Sequence, residues 1–259
     1  MELIDGEPLS AATERQGPLT VPEKPVYDGS GGGRLAAMTD MTEETPAAFK
    51  KDLLVYLQDA RDALLWKLEG LSEYDIRRPL TPTGTNLLGL VKHATAAEAL
   101  YFGETFGRPF DAPRPWITGD AEPNSDFWAT PEESREQIVD LYRAACAHAD
   151  ATIAALPLDA VGRLPWGRRG EVTLHHGLVH MTAETQRHAG HADIVRELVD
   201  GATGQRRDGE NTAPGDAHWW AAHRDRVEQA ARQAAEGRAR TRAQAQAQTR
   251  AQVQDSAQA

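Results

Sequence analysis

Cysteine is all but missing from this 259-residue chain, with Cys146 the single example. One thiol excludes an internal disulfide framework and suits a reducing, cytoplasmic setting. It sits in the apolar helical text "LYRAACAHAD", so its expected role is structural. Aromatic residues make up only 6% of the chain. No run of about 18 apolar residues occurs, so no membrane span is expected. The opening text "MELIDGEPLS" lacks the basic and apolar regions of a signal peptide. Basic residues are outnumbered by acidic ones, 28 to 39, for a formal charge of −11. That balance argues against nucleic acid as a partner, because phosphate contacts need clustered Lys and Arg. The one locally basic stretch, "RARTRAQAQAQTRAQ", has no interleaved aromatics and reads as a solvated low-complexity tail.

What is present is helical periodicity. Residues 1–44 contain "GSGGGR", several prolines and little pattern, and read as a disordered extension. Met38 and Met41 stand just before the first periodic text, so the preceding residues read as a leader extension or an overlong start. From Thr45, with Pro46 suited to a first helical position, Leu53, Leu57, Ala60, Leu64, Leu68 and Leu71 recur at spacings of three and four. They mark one face of a long helix. A second helix is predicted from about Asn86 to Phe106, with Leu90, His93, Ala97, Leu100 and Tyr101 as its stripe. The long loop that follows, "GRPFDAPRPWITGDAEPNSDFW", is aromatic enough to be functional, with Trp116 or Trp128 at a site entrance. "TPEE" at 130–133 predicts the start of a third helix, capped by Thr130. Ile138, Leu141, Tyr142, Ala145, Ala149 and Ile153 form its inner side. A fourth helix is predicted from about Thr173 to Val199, stopped by Gly201. The text "GRRGEV" allows one minor strand. The expected fold is therefore all-α: a four-helix bundle over residues 45–225, then a low-complexity tail over 226–259.

The fourth helix carries the chemistry. At 100° per residue from Glu184, His188 falls at about +40°, His180 at about −40° and His191 at about −20°. Met181, Val195 and Leu198 share that sector, so the ionisable groups lie on the stripe expected to face the core. Burying a glutamate without a partner costs several kcal/mol. A divalent cation removes that penalty. Glu184 and His188, one turn apart, can both reach a single ion, and His93 on the second helix can supply a third ligand; core side chains satisfied by hydrogen bonds are the open alternative. Two nitrogens and a carboxylate suit Zn²⁺, Ni²⁺ or Fe²⁺, and three protein ligands leave room for water or substrate. A rival set is His180, Glu184 and His188, although three consecutive turns diverge too far to hold one small ion well. His175 and His176 read as peripheral.

Two segments, "TGTNLLGLVKHATAAEALYFGETFGRPF" and "TLHHGLVHMTAETQRHAGHADIVREL", resemble the DinB/YfiT-like superfamily in its actinobacterial branch. The branch includes mycothiol S-transferases and the N-terminal domain of mycothiol-dependent maleylpyruvate isomerases. The resemblance implies a four-helix bundle holding a divalent metal, often zinc or nickel, on residues that fall here at His93, Glu184 and His188. It implies mycothiol as the thiol co-substrate, activated at the metal against a small electrophile. Arg187, His191 and Asp193 flank these positions as candidates for orienting ligands or thiol. The isomerases carry an additional C-terminal domain, whereas here the text after Gly201 is a short Trp-containing segment and the tail. S-transfer is therefore the expectation, rather than maleylpyruvate isomerisation. Two alternatives stay open: a hydrolase or lyase using metal-activated water, and a non-catalytic metal-binding stress protein with a closed site completed by His180 or His191. The chain is expected to act in the cytoplasm as a monomer or homodimer.

Overall fold

The computed structural model describes residues 46–118, 120–165, 170–207, 213 and 215–258, with side chains described to 248. The extension expected over 1–44, with Met38 and Met41, lies outside the described residues.

The first helix, α1, spans Pro46–Trp66 and buries Leu57, Ala60 and Leu64, as the spacing of three and four demands. A short helix, α2 (Glu73–Arg77), follows. Its Ser72 side chain accepts from the Asp75 N–H and caps it. The next helix, α3, spans Leu87–Glu98, and its N-cap Asn86 accepts from the Gly89 N–H. It passes directly into a π-turn at Ala99–Gly103 and a 3₁₀ turn at Glu104–Phe106, so the stretch predicted as one helix changes its winding near the end. Nearly all of α3 is buried, because it packs against α1 and two later helices, α4 (Arg135–Ala155) and α5 (Leu174–Asp200). Between α4 and α5, Val161–Arg163 (β1) pairs antiparallel with Glu171–Thr173 (β2), which supplies the minor strand that "GRRGEV" allowed. The four long helices α1, α3, α4 and α5 form the bundle, with α1 lying along α5 and α3 against α4.

Two boundaries deserve comparison with the sequence. The start of α5 is capped by Thr173, whose hydroxyl accepts from the His176 N–H, and its end by Gly201 at φ 80°, close to the predicted limits. The start of α4 is not at "TPEE". There the Glu133 carboxylate accepts from the Thr130 N–H at 2.8 Å and the Glu133 N–H reaches the Thr130 carbonyl, which closes a turn. The helix begins after Ser134, in a full capping box with Gln137.

The last helix, α6, spans Ala217–Gln258. It unites the short amphipathic piece and the tail that the composition separates at 225, and runs unbroken through that position. Alanine, glutamine and arginine are strong helix formers, and the pairs Glu228–Arg232 and Glu236–Arg240 add support one turn apart. Nearly every described side chain of α6 is exposed. Among the described residues, no helix is long and apolar enough to cross a membrane.

Candidate metal centre

The buried face of α5 differs from the sequence expectation. Leu174, Met181, Thr185, Ala192, Val195 and Arg196 are buried, and together they centre about 80° round from Glu184. Glu184 therefore stands at the edge of the core stripe, with His188 further in. Beyond Glu184 on the same side, at about −40°, Leu198, expected to face the core, is 63% exposed. The ionisable stripe borders the core rather than sharing its centre, and so it lines an opening.

His93, Glu184 and His188 come together, with one ligand atom of each within 4.8 Å of the others. His188 Nε2 is 3.0 Å from Glu184 Oε1, and His93 Nε2 is 3.8 Å from the same oxygen. The orientation of His93 is fixed from behind. Its Nδ1 is 2.7 Å from Asp126 Oδ2, and its ring stacks on Phe127 at 4.0 Å between centroids. A neutral imidazole that donates from Nδ1 to a carboxylate presents its Nε2 lone pair to an ion. The rings of His93 and His188 meet edge to face at 4.7 Å.

Asp126 and Phe127 belong to a 3₁₀ turn, Ser125–Phe127, in the long aromatic loop, and α3 holds them in place. The Asn86 amide donates to the Phe127 carbonyl at 3.0 Å. Gly89 lies so close beneath this turn that a Cβ there would occupy the position of the Phe127 carbonyl. Gly89→Ala is expected to displace the loop, separate Asp126 from His93 and lower stability by about 1–3 kcal/mol, in the range of overpacking. Urea unfolding together with metal titration checks this. A variant with wild-type values for both would remove Gly89 from the support of the site.

The remaining candidates divide. Arg187 and His191 line a cavity of about 290 Å³ together with Glu184, His188, Leu90 and Phe127. Asp193 does not join them; it pairs with Lys67. Nine residues beyond Glu184, it lies about 180° round the helix. His180 stacks on Tyr101 at 4.4 Å and burial lowers its pKa; it stands outside the three-residue cluster. His176 lies beyond it, and the His175 N–H donates to the Leu158 carbonyl in the segment that leads into β1. Trp116 lies beneath Lys92, whose ammonium is 4.5 Å from its ring centroid, while Trp128 lines a neighbouring cavity. Burial pushes the Cys146 thiol up, and the Glu98 charge adds to this, so Cys146 is poorly suited to act as a nucleophile.

The electrostatics favour a neutral His188. Burial lowers its pKa, His93 adds to the shift, and the nearby Glu184 opposes it. For Glu184 burial works upward, but His188 and then His93 draw its carboxyl below the usual range. In metal-free protein the sign for His188 is clear. The unfolded chain takes up a proton below about pH 6.5, while the native imidazole resists it. This group therefore costs no stability above about pH 6.5. As pH falls from there toward the depressed native value, stability drops by at most about 1.4 kcal/mol per pH unit. His188→Gln is expected to flatten that slope in urea titrations of chelator-treated protein between pH 7.5 and 5.5. An unchanged slope would assign the acid sensitivity elsewhere.

None of the curated proteins compared with the chain matches it. A family model described as "Mycothiol-S-transferase" matches residues 52–201, a span that contains His93, Glu184 and His188 as well as the loop that carries Asp126. The chain belongs to the mycothiol S-transferase family.

Proposed function

We propose that this protein transfers a small thiol, mycothiol, to electrophilic substrates, using a divalent metal held by His93, Glu184 and His188. The observation that carries the reading is the convergence of these three ligand atoms beside a cavity. The residues fit an ion of this class. Ligands about 2.1 Å from a tetrahedral centre lie about 3.4 Å apart, and the separations of 3.0 and 3.8 Å in the structure bracket that value. Zinc agrees with the two-nitrogen, one-oxygen donor set, as do nickel and iron.

Held by His93, Glu184 and His188, such an ion would lower the pKa of a thiol and favour the thiolate. In such a transfer the thiol would lose its proton and its sulfur would bond to carbon, the leaving group departing with its bonding electrons or, in a conjugate addition, the adjacent carbon taking up a proton. The chain's own part is positional. Asp126 and Phe127 hold His93, Leu90 and Phe127 give the cavity an apolar wall, and Arg187 and His191 stand at its rim, where an anionic group on the electrophile would be met. The non-catalytic alternative requires a fourth protein ligand. The stacking of His180 on Tyr101 supports an open site instead, as does the three-residue make-up of the cluster among the described residues.

The test uses untagged protein, elemental analysis, and monochlorobimane as a thiol-reactive electrophile. Metal-loaded protein is expected to accelerate conjugation with mycothiol and to lose that activity with chelator. Turnover without any thiol would favour metal-activated water, and no turnover by loaded protein would end the transferase reading.

A further inference from the structure

The metal-side cavity is not the whole opening. A second cavity of about 570 Å³ shares Thr85, Asn86 and Phe127 with it and extends toward Thr83, Asn124 and Trp128. The two differ in chemistry. The first presents Glu184, Arg187, His188 and His191. Among the described residues, the second is lined by one charged side chain, Arg77. That guanidinium is already engaged, with Nε on Glu73 and its two terminal nitrogens on the carbonyls of Thr130 and Glu133.

What the second lobe offers is hydroxyls, an amide and an aromatic face. Thr83 and Thr85 supply hydroxyls, and Asn124 places a carboxamide there from a left-handed backbone at φ 63°. The Asn86 amide is held by Gly84, Gly89 and Phe127 and serves as wall. Trp128 is 45% exposed, although its backbone is anchored by the Lys92 ammonium, which donates to its carbonyl at 3.0 Å. A large indole left open over a fixed backbone, next to neutral donors and acceptors, suits a ring whose C–H face stacks while its edge hydroxyls are hydrogen-bonded.

We infer that this second lobe is the subsite for a neutral, hydroxyl-rich ring carried by the thiol. The ring would stack on Trp128 and bond to Thr85 and Asn124 while the sulfur enters the adjoining cavity. The inference rests on the thiol-transfer reading above, and it identifies which part of the co-substrate the protein selects. Mycothiol has the required build, a cysteinyl thiol on an amino sugar joined to inositol.

Two readouts keep the proposal separate from the reading beneath it. The first is calorimetric binding of N-acetylglucosaminyl-inositol, which keeps the neutral rings and lacks sulfur, to metal-loaded protein. Binding is expected in the wild type and about tenfold weaker binding in Trp128→Ala, with Asn124→Gly and Thr85→Val as milder variants that preserve the local backbone. The second is the ratio of kcat/KM for mycothiol to that for cysteine with monochlorobimane, expected to fall about tenfold in Trp128→Ala through KM. If the ring fragment fails to bind and the ratio is unchanged while mycothiol is still conjugated, the subsite is wrong and the transferase reading stands. If no thiol is conjugated but the fragment binds in a Trp128-dependent way, the reverse holds. A rise in KM for the electrophile alone would give the lobe to the electrophile and overturn the inference.

Discussion

Replacing His188 by alanine is expected to leave the protein without bound metal after purification, against about one ion per wild-type chain. The same result is expected for His93→Ala. Two candidate ligands from one turn of α5 and one from α3 would enclose an ion from two helices, so removing any one would leave two donors. Asp126→Asn should behave differently. Asp126 touches only the far nitrogen of His93, at 2.7 Å, so its loss frees the ring and the tautomer but keeps all three donors. Weakening by about 10–100-fold is the usual consequence of removing such a partner, with metal still bound at saturation. His180→Ala is the control that separates the two ligand sets considered from the sequence. Its ring stacks on Tyr101, and metal content should be retained. Loss of metal in His180→Ala with retention in His93→Ala would transfer the site to the rival set along α5. The measurement is elemental analysis of untagged protein, followed by competition with a chelator of known affinity.

Much of this was legible because it is local. The cap at Thr173 and the stop at Gly201 are fixed by chemistry within a few residues of each, and so is the one-turn relation of Glu184 to His188. The start of α4 shows where local reading fails. Two overlapping box patterns are present, Thr130 to Glu133 and Ser134 to Gln137, and the choice between them depends on a distant group. Glu133 is drawn into an ion pair with Lys92 at 2.8 Å, which favours ending the turn there and beginning the helix at the second box. Asp126 and Phe127 were out of reach for the same reason. Nothing near them in sequence announces a partner for His93; they arrive because Gly89 lets the loop lie directly on α3. The absence of a side chain at Gly89 was a signal, since a glycine inside an otherwise apolar helix marks close approach of another backbone. Asp193 carries its own signal: at about 180° from Glu184 its place on the opposite side of α5, where it pairs with Lys67, follows from helix geometry alone.

The sequence also hid the group on which the bundle's stability is expected to depend most. Arg61→Met should lower unfolding stability by about 3–5 kcal/mol, which for a domain of this size shifts Tm by on the order of 10 °C. Arg61 reads as one polar residue among the apolar stripe of α1, yet it is 2% exposed and its partner Glu98 is 0% exposed. Its Nε and one terminal nitrogen each bond a different oxygen of Glu98 at 2.7 Å, and the other terminal nitrogen reaches Asp150 at 2.8 Å. One guanidinium thus joins α1 to α3 and α4. Removing it strands a carboxylate in the core, whereas removing both charges strands nothing, since Asp150 is half-exposed and keeps its solvent. The double variant Arg61→Met/Glu98→Leu is therefore expected to recover most of the loss. A pH series adds an independent check. Burial works to raise the Glu98 carboxyl, and Arg61 opposes it. Burial already outweighs Arg61 and holds the Glu98 carboxyl above the usual range; with Arg61 gone nothing offsets it, and the native carboxyl takes up a proton at still higher pH, above that of the unfolded chain. The deficit of Arg61→Met should then be full above the raised native pKa and narrow as the pH falls through it. If urea midpoints show a deficit independent of pH, or a double variant as unstable as the single, the cost comes from lost packing rather than from a stranded charge.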